Sequence, residues 1–91
     1  MKLKLSDKAS SELGDAMDWF DEQATGLGAK FRVSIGETFS YILENPMSGK
    51  NVRRGIQTRL NLKFSYKIAY KIHLDKVVII SIWHAARNIT M

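Results

Sequence analysis

Hydrophobic and polar residues alternate almost without a break in KFSYKIAYKIH, Lys63 to His73. Phe64, Tyr66, Ile68, Tyr70 and Ile72 fall on one parity, and Lys63, Ser65, Lys67, Ala69, Lys71 and His73 on the other. A period of two predicts a strand with one apolar face and one face for water. KLKLS at the start alternates Leu3 and Leu5 with Lys2 and Lys4, a short strand whose lysines suit a sheet edge. Ser6 or Asp7 can then cap a helix whose apolar stripe is Ala9, Leu13, Ala16, Met17, Phe20 and Ala24. Glu12, Asp15 and Asp18 lie mostly off that stripe and read as a solvated face. TGLG ends the helix, with Gly26 in a left-handed position. Leu27, Phe31, Ile35, Phe39 and Ile42 define a second helix, closed by ENP because a proline disfavours helix in the residue before it.

After the MSGKN loop everything reads as strand. In VRRGIQTRLNL, Ile56, Leu60 and Leu62 alternate against Gln57, Arg59 and Asn61, and a turn at LNLK leads into the alternating stretch. HLDK is a second turn, and KVVIISIW runs apolar on both parities, as a strand buried on both faces does. The order strand, helix, helix and three strands (β-α-α-β-β-β) predicts one α+β domain over residues 1–91. Its two layers are an antiparallel sheet and a helical hairpin packed on one face. Phe64, Tyr66, Ile68, Tyr70 and Ile72 should meet Leu13, Phe20, Phe31, Ile35 and Phe39 in a single core, leaving the other sheet face uncovered and basic.

Charge sharpens this picture. The 91 residues carry a net charge of +5, but residues 1–47 hold five basic groups against eight acidic ones. Residues 48–91 hold nine basic groups against Asp75 alone. Such segregation favours an anionic partner, either nucleic acid or an acidic protein segment. Lys63, Lys67 and Lys71, spaced four apart on one strand, should project on one side at steps of ~13 Å. Arg53 and Arg59, which share a parity on the preceding strand, are expected to join them in binding. No exposed aromatic platform for base stacking is evident, because Tyr66 and Tyr70 share the apolar parity. With no cysteine and two histidines, neither a disulfide framework nor a metal centre is expected, and no cofactor motif occurs. The start lacks a signal-peptide apolar run and no segment reaches membrane-span length, so a cytoplasmic protein without membrane contact is expected.

Three local patterns carry a family resemblance: Arg59 in a strand, FSY at Phe64 to Tyr66 with Tyr70 four residues on, and HAAR from His84 to Arg87 after an apolar strand. Together with the element order they resemble the RelE/ParE toxin superfamily, the toxin halves of bacterial type II toxin–antitoxin pairs. Ser65 stands where the ParE-like branch usually has proline. The resemblance implies a cognate antitoxin and one of two targets. The ParE-like mode, interference with DNA gyrase without hydrolysis, is favoured because these elements look more like that branch. The alternative is a ribosome-dependent mRNA endoribonuclease, with His84 as general acid or base and Arg59 and Arg87 stabilising phosphate charge. Against it, the nearest carboxylates in sequence are Glu44 and Asp75, neither placed beside His84 by any pattern. A structural histidine bonded to backbone is the plainer account of His84. A non-toxic protein-binding module on the same scaffold is the third reading.

Overall fold

Ser6 decides where the first strand stops. In the computed structural model, which describes residues 1–86, strand β1 (Lys2–Leu5) gives way at once to helix α1 (Asp7–Gln23). The Ser6 hydroxyl accepts the Ala9 N–H at 3.0 Å and donates to the Ile80 carbonyl at 2.9 Å. One side chain thus caps the helix and ties it to the far end of the chain. Helix α2 (Leu27–Glu44) follows after Gly26, whose φ of 85° reverses the direction of the chain. The helices cross closely at Gly28, where a Cβ would collide with the Met17 carbonyl oxygen and the Asp21 carboxylate. That carboxylate accepts the Gly28 N–H at 2.8 Å.

Four more strands complete the fold: β2 (Lys50–Arg53), β3 (Ile56–Asn61), β4 (Tyr66–His73) and β5 (Lys76–His84). The sheet order is β1-β5-β4-β3-β2. The two-layer α+β architecture with the helical hairpin on one face is as expected, but two details differ. VRRGIQTRLNL is a hairpin rather than one strand, because Gly55 takes φ 66° and folds β2 back on β3. The sheet is mixed, since β1 lies parallel to β5 while every other pairing is antiparallel. The five-stranded sheet therefore reads β-α-α-β-β-β-β along the chain.

The core joins Leu13, Phe20, Phe31, Ile35 and Phe39 to Phe64, Tyr66, Ile68 and Tyr70, as the two stripes predict. Ile72 is half-buried and stays outside this cluster. Phe31, fully buried, stacks on Phe20 at 4.8 Å and meets Tyr66 and Phe64 edge-on at 4.8 and 5.2 Å.

The facing of β3 is the opposite of the expected one. Gln57, Arg59 and Asn61 pair with Tyr70, Ile68 and Tyr66, so they share the helix-covered side. Ile56 and Leu60 lie on the open side, where Leu60 is 44% exposed. Polar residues are tolerated beneath the helices because each finds a partner. Asn61 donates to Ser34 Oγ at 2.9 Å and Thr38 Oγ1 at 3.0 Å, and its Oδ1 accepts the Phe64 N–H at 2.9 Å. Gln57 Oε1 lies 3.3 Å from the Tyr70 hydroxyl.

Tyr70 clamps the loop between α2 and β2. Its hydroxyl accepts the Gly49 N–H at 3.1 Å and lies 3.0 Å from the Pro46 carbonyl. Burial raises its pKa above the ordinary tyrosine value, with the Gly49 N–H and Arg59 pulling the other way. A raised folded-state value means that this contribution is complete below the unfolded-state pKa, near 10, and is lost as pH climbs through the folded value. Tyr70→Phe is expected to cost about 1–3 kcal/mol near neutral pH, because the Gly49 N–H loses its acceptor. It should also remove part of the alkaline destabilisation; denaturant titrations at pH 8 and above pH 10 measure both effects.

Candidate functional surfaces

The strands contain no aspartate or glutamate. Register assigns Lys67 to one face with Leu60 and Trp83, and Lys71 to the same face with Ile56 and Val78. Lys50, opposite Thr58, Arg53, opposite Ile56, and Lys4, opposite Val78 through β1 and β5, extend this cationic surface. Ala69, between the two lysines on β4, is fully buried and Trp83 is 6% exposed, so the apolar surface beside the charges comes from Leu60, opposite Lys67 and 44% exposed.

Two expected members of this surface are elsewhere. β4 begins at Tyr66, so Lys63 sits in the β3–β4 turn and lines a shallow depression against α2 with Lys30, Val33 and Glu37. The turn uses Ser65 at φ 57°, a conformation that a proline, held near −65°, does not fit. Arg59 is on the helix side. Its guanidinium lies 4.0 Å from the Tyr41 ring centroid and donates to Ser48 Oγ at 3.1 Å. This stacking fixes a cation at the end of α2, away from the open face.

His84 ends β5 on the helix side, edge-on to Tyr66 at 5.5 Å, and its Nδ1 accepts the Ala86 N–H at 3.2 Å. It lines a cleft of about 770 Å3 whose walls include Glu12, Asp15, Trp19 and Tyr66. Arg59 and His84 stand on β3 and β5, on either side of β4, and contact different partners: Tyr41 and Ser48 for Arg59, Tyr66 and Ala86 for His84. Arg87, the third candidate for phosphate chemistry, lies outside the described residues. Among the described residues no three histidine, aspartate or glutamate side chains gather to hold a metal. No described helix is long and apolar enough to cross a membrane.

Glu12 is the residue that sequence reasoning misplaced. Rather than belonging to a solvated face, its carboxylate accepts the Ser81 hydroxyl at 2.9 Å and the Ile82 N–H at 3.0 Å. It thereby closes the edge of β5 beyond the last residue of β1. The carboxylates beside His84 come from α1, not from Glu44 or Asp75. The only available signal was that Glu12 sits one residue before the stripe position Leu13.

Solved structures share this layer order and helix hairpin. The chromosomal ParDE toxin–antitoxin system from P. aeruginosa aligns over 90% of this chain and 92% of that one, with a TM-score of 0.79 and 19% identity. The isolated E. coli RelE toxin aligns over 96% and 86% (TM-score 0.70, 18% identity), and a chain of the intact E. coli RelBE toxin–antitoxin complex over 94% and 98% (TM-score 0.70, 19% identity). No curated protein matches the chain. The family of the ParE toxin of type II toxin–antitoxin systems, parDE, matches residues 3–89, and the chain belongs to that family. It is a ParE/RelE-type toxin of a type II toxin–antitoxin system.

Proposed function

We propose that this toxin arrests growth in the cytoplasm by a ParE-like interference with DNA gyrase, and that a cognate antitoxin holds it through the open cationic sheet face. The observation that carries the target is the cleft around His84. Its described walls bear Glu12 and Asp15 and no lysine or arginine, so a scissile phosphate there would face negative charge. Arg59, the cation best suited to such a phosphate, is committed to Tyr41 and Ser48. A hydrolytic site needs acid, base and phosphate-stabilising cation within reach of one substrate. The open face offers the reverse chemistry: cations beside the exposed Leu60, suited to an acidic amphipathic segment that folds on binding.

The mRNA endoribonuclease is the second reading, supported by the proximity of carboxylates to His84 in one cleft, an arrangement that could move protons. His84→Ala separates the two. Induced His84→Ala is expected to arrest growth as the parent does, and purified toxin should inhibit supercoiling by gyrase at the same concentration with or without His84. Codon-linked mRNA cleavage that disappears in His84→Ala would reject the gyrase reading. Normal growth under strong soluble expression of the parent chain would reject both.

A further inference from the structure

The cleft beside His84 has a chemistry that neither the gyrase target nor the cationic sheet uses. Trp19, 54% exposed, lines its wall. Its ring packs edge to face with Phe20, 5.0 Å between centroids, which restrains it. Asp15 precedes Trp19 by one helical turn, on the same side of α1, and its exposed carboxylate has no partner among the described residues. Glu12, one turn earlier again, adds a second carboxylate, already bonded on one side to Ser81 and Ile82. Ala16 and Ile82 supply apolar wall between these groups.

We propose that this cleft receives an arginine side chain of the antitoxin. The inference rests on the reading that an antitoxin binds the open face, and it adds a second, oppositely charged contact. A guanidinium can stack on Trp19 and pair in-plane with the Asp15 carboxylate, while its methylene stem lies along Ala16 and Ile82. An anion is excluded by the two carboxylates. A purely apolar side chain would bury the Asp15 carboxylate without a counter-charge. Continuity favours the same partner for both surfaces. Trp83 belongs to the open face and His84, the next residue, lines the cleft, so a segment leaving the open face round the end of β5 arrives at this cavity. The complementary antitoxin segment therefore carries acids and apolar residues for the sheet, and then an arginine for the cleft.

Asp15 is exposed on a helix, so Asp15→Arg tests the contact without disturbing the core. The antitoxin encoded beside the toxin should bind Asp15→Arg at least tenfold more weakly than the parent, with an unchanged Tm for the free variant. An alanine scan of the antitoxin's arginines should find one whose replacement matters in the parent and not in Asp15→Arg. Independently, N-acetyl-arginine amide added to the free toxin should shift the Trp19 indole N–H resonance, while N-acetyl-aspartate amide should not. Unchanged antitoxin affinity in Asp15→Arg overturns the cleft contact and leaves the open-face reading standing. Absence of antitoxin binding to the parent overturns both. If the arginine probe moves Trp19 only in Arg87→Ala, the occupant is this chain's own Arg87 and the proposal falls.

Discussion

Phe31→Ala is expected to cost this domain about 3–5 kcal/mol, since it removes a fully buried ring and leaves a cavity among aromatic neighbours that cannot all close in. For a chain of this size, whose total stability is on the order of 5–15 kcal/mol, that is a large fraction. Thermal unfolding followed by circular dichroism should show a Tm lower by roughly 12–40 °C, or no cooperative transition at all. The ring is the hub of the two layers: Phe20 reaches it from α1, Phe64 from the β3–β4 turn and Tyr66 from β4. A loss below ~1 kcal/mol would mean that the aromatic cluster is not the joint between the layers. Phe39→Ala, at a half-buried position on the same helix, should cost less and serves as the control.

The second large effect is on partner binding. Lys67→Glu combined with Lys71→Glu reverses two charges on one face of β4 and leaves the helix-covered side untouched. Antitoxin affinity is expected to fall by about two orders of magnitude, because the variant sets like charges against an acidic segment. The salt dependence should change as well. Parent affinity should decline as ionic strength screens the surface, whereas the double variant should respond weakly or in the opposite sense. Both lysines are exposed, so the free protein should unfold as the parent does. Lys63→Glu, in the turn beside α2, should leave affinity nearly unchanged, and this contrast follows from where β4 begins. Equal losses from Lys63→Glu and Lys67→Glu would place the antitoxin on a different surface.

Much of the architecture was legible because long periodic segments report burial directly. The two helical stripes, the β4 alternation and the doubly apolar β5 each face the side their pattern predicts. The failures have physical causes. The pattern phases β3 backwards because Leu60 and Ile56 look like core residues, while Asn61 and Gln57 look like surface; partners at Ser34, Thr38 and Tyr70 reverse that preference. Parallel pairing of β1 leaves no local trace, since its partner strand is more than 70 residues away. The turn at Arg54–Gly55 is masked in sequence by the strand-like residues on both sides of it. Of the candidate sites, the Lys67 and Lys71 face was visible in the alternation itself. The cleft was not, because it forms where one turn of α1 meets the end of β5, a juxtaposition that no sequence spacing encodes.

The parallel seam between β1 and β5 also bears on how the protein is made. β5 is an inner strand flanked by the first and second-last described strands, yet it is the last described strand to be synthesised. The bond from the Ser6 hydroxyl to Ile80 spans a sequence separation of 74 residues. Contacts of such long range form late and slow folding. A nascent chain lacking residues 76–84 has no partner for its N-terminal strand and no acceptor for Ser6, so the sheet stays open on both sides of the gap. The two halves of the sheet are therefore joined only once β5 has inserted between β1 and β4.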